Sequence, residues 1–358
     1  MARTDQVVLF DDFSGPSLDG SIWGLATWNI GDRTQFGNAP EFDVEGETDF
    51  IILPLDTYNP ENPGDRVLGT EIYSLENFNL QEGVEYLARA RLTSETPGLV
   101  AAFFTYNQKR KRGRWQSDEI DFEVLSKQPV NRVLVSSWND WGAPGSNYDD
   151  GVHHLDAYLD LSGYDWREWN TYAMRWFPDR VEWWVNEVLV HSQSSPVPDL
   201  AQPARASLWA GGTTWPDAFD PALAPVANSA LNTRHEWHVD YIMVTRLDGS
   251  GGGGGGGSDL DAPSALGATV NGTQVTLSWT DNATGESGFN IYRAYKPKGN
   301  AQPDFNLAGT APADAQQFSE SVIDNNRYLY FVTAYGASSE SQPSETITVT
   351  VGQPRGRN

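Results

Sequence analysis

The stretch that most constrains the fold is Asp118-Glu119-Ile120-Asp121-Phe122-Glu123-Val124, where charge and hydrophobicity alternate with a period of two. Successive side chains of a β-strand point to opposite faces, so Glu119, Asp121 and Glu123 share one face while Ile120, Phe122 and Val124 share the other. One face belongs to a core, and the other carries a row of three carboxylates. Neighbours in that row have Cα atoms roughly 6.5 Å apart, so full ionisation of all three is unfavourable and their proton affinities should spread.

The rest of the chain speaks the same β vocabulary. Alternating or apolar runs bounded by turn residues predict strands at Glu71–Ser74, Gly83–Leu92, Gly98–Tyr106, Val130–Trp138, Tyr172–Phe177, Val181–Val185, Val188–Ser192, Ala206–Gly212 and His238–Val244. The basic run Lys109–Arg114 is expected to form a long hairpin tip before the acidic strand, Asn139–His154 a long loop, and residues 5–56 an opening strand followed by loops. Many short strands without amphipathic helices imply a sandwich or jelly roll.

Composition excludes some functions. A formal net charge of −24 makes nucleic acid or an anionic membrane a poor partner, since both need a basic footprint. The absence of cysteine rules out disulfides, thiolate zinc sites and a cysteine nucleophile. Residues Met1 to Phe10 lack the basic-then-apolar pattern of a signal peptide or membrane helix. Fourteen Trp and fourteen Tyr among Gly and acidic residues suit a partner that presents apolar sugar faces and hydroxyls, although filling a β-sandwich accounts for most of them.

The glycine tract at 249–258 reads as a flexible linker and divides the chain into 1–248 and 259–358. Beyond it, strand signals recur at Val275–Trp279, Phe289–Arg293, Tyr328–Tyr335 and Thr346–Val351. This segment resembles a fibronectin type III domain, which implies a small immunoglobulin-like β-sandwich with Trp279 buried on its second strand and Tyr328 as its tyrosine corner.

Glu119-Ile120-Asp121-Phe122-Glu123 itself resembles the Glu-x-Asp-x-Glu signature of glycoside hydrolase family 16. So do Gly98–Tyr106, Trp169–Trp176, Pro178–Val185, Leu208–Gly212 and Val239–Tyr241, in family order over roughly residues 5–248. The resemblance implies an all-β, jelly-roll β-sandwich of the concanavalin A/laminarinase type, and a retaining endo-hydrolase of a polysaccharide. It further implies Glu119 as nucleophile, Glu123 as general acid/base and Asp121 as the carboxylate that tunes Glu119. A difficulty follows from spacing: Cα atoms four residues apart on a flat strand lie about 13 Å apart, whereas retaining enzymes hold the two carboxyl groups about 5–5.5 Å apart, so the strand must curve.

Sugar rings stack on aromatic rings, which makes Trp115, Trp138 and Trp209 candidates for substrate contact, with Trp28, Asn29, Glu71, Arg114, His153 and His154 as further lining residues. The motif context resembles the mixed-linkage β-glucanase and xyloglucan-active branch, so a β-1,3-1,4-glucan or related β-glucan is the first substrate expectation. The basic run Lys109–Arg114 keeps an anionic marine galactan of agar, porphyran or carrageenan type as the alternative, and a non-catalytic glycan-binding protein as a more distant one. No cofactor is needed for the chemistry. Family resemblance suggests a structural calcium at Asp240, though one carboxylate falls far short of the six to eight oxygens such an ion takes. A monomer acting outside the cell is the expectation, because the substrate is found there.

Overall fold

Alternation in the sequence becomes two layers of antiparallel strands. The computed structural model describes residues 6–46, 48–81, 83–148, 150–247, 260–295, 305–323, 326–336, 341 and 343–352. Among these, every regular element is a strand except a single 3-10 turn at Ser229–Leu231. The linker expected at 249–258 lies outside the described residues. The chain divides into two compact units, one of Met1–Val44 with Asp49–Gly249 and one of Glu45–Thr48 with Ser250–Asn358.

In the first unit, one layer runs Trp23–Leu25, Val67–Ser74, Ala204–Ala210, Leu99–Lys111, Arg114–Leu125, Arg132–Trp141 and His154–Asp160 in spatial order, all antiparallel. The other is built on Arg234–Arg246, whose two halves pair on one side with Gln6–Asp11 and Thr48–Asp56. On its other side follow Val84–Leu92, Asn170–Phe177, Arg180–Val185 and Val188–Gln193. The acidic strand therefore sits inside its sheet, with neighbours on both edges.

Between the layers lies the core. Ile120, Phe122 and Val124 enter it together with Phe103, Val133, Val135 and Leu208 from the same sheet and Tyr86, Tyr172, Met174, Trp183 and Ile242 from the other. The Phe122 and Tyr172 rings meet edge to face at 5.5 Å. Trp183 Nε1 donates to the Asp121 backbone oxygen at 2.9 Å, tying the second layer to the middle of the acidic strand. Burial of the even-numbered residues thus fixes which way the carboxylates face, since a one-residue slip would exchange the two sets.

Two expectations change. The basic run is not a long tip: strands continue to Lys111 and Arg114, and only Arg112-Gly113 turns, both with positive φ (51° and 80°). That is a two-residue turn of the kind that matches strand twist, and Gly113 supplies the left-handed position without strain. The expected loop 139–154 is shortened at both ends, because one strand runs on to Trp141 and the next begins at His154.

The second unit pairs a three-stranded sheet, Ser264–Asn271, Gln274–Thr280 and Gln317–Ser321, with a four-stranded one, Asn306–Pro312, Gly288–Tyr295, Asn326–Tyr335 and Ile347–Val351. Trp279, Phe289, Ile291, Tyr328, Tyr330 and Val332 fill its core. The Tyr328 hydroxyl donates to the Ile323 oxygen and accepts from the Ile323 amide, both at 3.0 Å.

Candidate active site

The face of the acidic strand turned away from the core is polar and aromatic around Glu119 and Asp121 and becomes aliphatic from Glu123 onward. Register places Tyr106 and Trp138 beside Glu119, Phe104 and Ser136 beside Asp121, and Ala102 and Leu134 beside Glu123. One strand further out, His154 and Asp156 continue the first two rows on one side and Arg205 the second row on the other. Tyr73 follows Arg205, and Glu71 lies opposite Ser207. A bulge between Ser117 and Glu119 breaks the ladder as the row begins. From Glu119 to Glu123 the register is unbroken on both sides, so the bulge lies outside the interval between the two glutamates. The buried Asp118 holds this bulge: its carboxylate accepts from the amides of Asp140, Asp199 and Leu200 at 2.8–2.9 Å.

Asp121 is the best-partnered member of the row. Its Oδ2 accepts a short hydrogen bond from Ser136 Oγ and another from Trp138 Nε1 at 3.1 Å. A further bond links Asp121 to Glu119. Burial pushes the Asp121 carboxyl up to about 7, against the pull of these three hydrogen bonds. Glu119 is raised well above the usual carboxylate range, first by burial and then by the charges of Asp121 and Glu123, with Arg205 opposing. Glu123 is raised likewise by burial and by Asp121 and Asp156. The site therefore holds protons at neutral pH, and three carboxylates so close together share them rather than titrate independently.

Around the row the predicted lining residues fall into distinct places. Glu71, 2% exposed, is ion-paired with Arg205 Nη1 at 2.5 Å, and burial lifts its carboxyl to about 7 despite that partner. Trp28 is exposed and packs on Tyr73 at 5.7 Å. Gly24 makes Tyr73's position possible, since a Cβ there would come within 2.4 Å of the Tyr73 ring. Trp209 packs against Trp215 at 5.9 Å over an apolar patch of Val100, Leu125 and Leu134, in the row beyond Glu123. At the opposite end Trp115 stands 60% exposed and Arg114 is exposed beside it. Trp138 is held among His154, Trp141 and Tyr148, with ring centroids at 3.6, 4.9 and 5.5 Å, so its hydrogen-bonding edge rather than a free face is what it presents to the carboxylates. His153 is engaged by Asp150 at 2.8 Å, and Asn29 is exposed on its own short strand.

Sequence reasoning missed Arg205, Tyr73, Ser136 and Asp156. The signal for two of them was available: Ser136 is two residues before Trp138 and Arg205 four before Trp209, so each shares the face of a residue already singled out. Asp240, the expected calcium ligand, is paired with Arg89 at 2.5 Å. Among the described residues the group of three acidic ligands able to converge on one ion lies elsewhere, at Asp281, Glu286 and Asp314. A carboxylate already neutralised by a guanidinium does not fit a hard cation that needs many oxygens.

The site is thus a row of three interacting carboxylates with raised proton affinity on the sheet face turned away from the core. Comparison with known proteins adds that residues 65–228 match the model of the glycosyl hydrolases family 16. The beta-glucanase of Brevibacillus brevis is 32% identical over 141 residues, 37% of this chain and 48% of that protein. That of Bacillus subtilis (strain 168) is 26% identical over 207 residues, 56% of this chain and 74% of that protein. The chain thus spans about half the length of the first of these relatives. Two solved structures share the fold. The Bacillus licheniformis beta-glucanase has a TM-score of 0.51 at 18% identity, covering 66% of this chain and 97% of that one. The endo-1,3-beta-glucanase (laminarinase) catalytic domain from Thermotoga petrophila RKU-1 has a TM-score of 0.52 at 17% identity, covering 69% and 100%.

Proposed function

We propose that the first unit is a retaining endo-hydrolase of a β-glucan, with β-1,3-1,4-glucan as its first substrate. The observation that carries this is the row Glu119, Asp121, Glu123 on the open face, held with fewer charges than carboxylates; the names of the relatives support the choice of glucan. Hydrolysis with retention needs one carboxylate that attacks and one carboxylic acid that delivers a proton.

In this reading the Glu119 carboxylate bonds to C1 of the sugar while the C1–O bond to the leaving chain breaks and Glu123 gives its proton to that oxygen. Asp121 takes the shared proton and donates it in a hydrogen bond to Glu119, so that Glu119 attacks as the anion. Once Glu119 is esterified its charge is gone. Glu123 then accepts a proton from water as the water oxygen bonds to C1, and Glu119 leaves as carboxylate. The chemistry needs no cofactor, the catalyst acts as a monomer, and a polymeric glucan places the action outside the cell.

One observation favours a second reading. Lys109 is tied to Asp140 and Asp199, and Lys111 to Asp140, but Arg110, Arg112 and Arg114 have no ion-pair partner among the described residues. Three uncommitted guanidiniums near the end of the row suit an anionic galactan. A panel of lichenan, laminarin, xyloglucan, agar and carrageenan, assayed with the wild type and Glu119→Ala, separates the readings. Lichenan cleavage abolished by the substitution is expected, activity unaffected by it would sink the mechanism, and binding without cleavage would point to a glycan-binding protein.

For the second unit the proposal is a fibronectin type III-like module. Its three- and four-stranded sheets, the buried Trp279 and the Tyr328 hydroxyl returning to Ile323 support that reading. Gel retention on lichenan by the full chain, compared with a chain ending at 258, tells a spacer (equal retardation) from a glycan binder (loss of retardation).

A further inference from the structure

Five of the chain's 24 Lys and Arg residues fall within Lys109–Arg114, at the tip of the hairpin that leads into the acidic strand. In a chain of formal net charge −24 this is a local reversal of sign. Lys109 is neutralised by Asp140 and Asp199, at 3.1 and 2.8 Å, and Lys111 by Asp140 at 3.2 Å. Arg110, Arg112 and Arg114 are exposed and have no ion-pair partner among the described residues. The backbone singles out Arg112 independently: it holds φ 51° as the first of the two turn residues. That conformation favours Asn, Asp or Gly, and an exposed Arg recovers none of its cost by packing. A residue kept in a disfavoured conformation with nothing gained inside the fold points to a use outside it.

Trp115, 60% exposed, lies directly across the ladder from Arg110, so the two share a face. Cβ atoms of such a pair are roughly 4.5–5.5 Å apart. An indole receives the C–H face of a pyranose, and a guanidinium beside it can grip a carboxylate on that ring through two parallel N–H···O bonds. Arg114 lies opposite Lys111 in the alternate set of residues, with Gln116 and Ile120, and Arg112 sits on the turn itself. The three guanidiniums therefore diverge. One guanidinium fork satisfies both oxygens of a planar carboxylate, whereas a sulfate or phosphate, whose oxygens point in three directions, is best held by donors that converge. Carboxylates repeated along a polymer match a divergent array. The array also stands apart from the catalytic row, since Trp115 is four positions, about 13 Å along the strand, from Glu119. We propose that the tip Arg110–Trp115 is a docking site for an acidic polysaccharide, a polyuronate: Arg110, Arg112 and Arg114 take its carboxylates and Trp115 stacks on one of its rings. Such a site holds the enzyme on a matrix of mixed acidic and neutral polysaccharides while the carboxylate row works on the neutral one, whichever glucan that is.

Affinity electrophoresis of the full chain through gels containing polygalacturonate tests this, with polyglutamate and neutral dextran as controls. The wild type should be retarded by polygalacturonate and far less by either control. Replacing the three arginines together, Arg110→Gln, Arg112→Asn and Arg114→Gln, should weaken binding by about tenfold or more. Asn suits the left-handed turn position, so the melting temperature of this variant should equal or exceed that of the wild type, and lost retardation cannot then be lost folding. Trp115→Ala should weaken retardation by polygalacturonate and leave that by polyglutamate as it was. Retardation unchanged in the triple variant, or persisting in about 1 M NaCl where charges are screened within about 3 Å, overturns the proposal. Equal retardation by polyglutamate overturns the assignment to a sugar polymer.

A competition assay separates docking outside the cleft from binding within it. Polygalacturonate added to the wild type at concentrations that saturate the tip should leave the KM for soluble lichenan where it was. An apparent KM that climbs in proportion to the added polygalacturonate would put the acidic chain over the carboxylate row and overturn a separate site. Failure of the function proposed above looks different: the wild type would then not cleave lichenan at all, and the electrophoresis alone would decide the docking site.

Discussion

Replacing Asp121 by Asn should stabilise the protein at neutral pH while depressing catalysis. Asp121 is buried and its carboxyl is raised from 3.8 to about 7. The folded state therefore binds a proton that the unfolded chain has released between roughly pH 4 and 7. With the folded value the higher one, the group's contribution is fully present below the unfolded pKa and is lost as pH rises through the folded value. Wild-type stability falls across that window on this account. Asn keeps the acceptor oxygen for Ser136 and Trp138 but has no proton to lose, so its stability relative to wild type climbs over the same interval and then levels. Roughly three pKa units at 1.36 kcal/mol each set a ceiling of about 4 kcal/mol; sharing the proton with Glu119 lowers the expectation to about 2–4 kcal/mol. Urea unfolding at pH 4.5, 6, 7 and 8, followed by tryptophan fluorescence, measures it. Every Trp except Trp279 precedes the linker, so the signal reports the first unit. A difference that is flat with pH, or that shrinks as pH rises, would refute the reasoning.

Other expectations are simpler. Phe122→Ala removes a fully buried ring that meets Tyr172 and should cost about 3–5 kcal/mol in the same urea experiment, with the carboxylate row losing activity in proportion to unfolding. Gly24→Ala forces the Tyr73 ring away, so KM on lichenan should rise several-fold while the melting temperature changes little. Neutralising Arg110, Arg112 and Arg114 together should leave lichenan cleavage unchanged; a drop confined to agar or carrageenan would support the anionic substrate instead.

How much of this was legible beforehand depends on whether local pattern or distant partners decided the outcome. The acidic strand was legible because its alternation admits one buried face, and Ile120, Phe122 and Val124 do enter the core. Thr48–Asp56 was lost inside an expected loop region, since its apolar run contains Pro54 and lacks alternation. It is a strand because it pairs with Arg234–Val239, far away in sequence. The basic run was read as a loop from its charge, yet Lys109 and Lys111 are ladder residues whose ammonium groups meet acids brought from elsewhere in the chain. Within the site, carboxylate spacing could be read directly. The Ser136 and Trp138 bonds to Asp121, and the Arg205 bridge to Glu71, needed the register of several strands, which no single stretch encodes.

The most direct test of the account is to trap the covalent intermediate. A β-glucan oligosaccharide bearing fluorine at C2 and a good leaving group should form the glycosyl-enzyme faster than water releases it. Digestion and mass spectrometry should then find one sugar equivalent on the peptide containing Glu119, at that residue's side chain. A label on Glu123 or elsewhere, or steady turnover with inverted configuration and no adduct, would contradict the assignment of Glu119 as nucleophile.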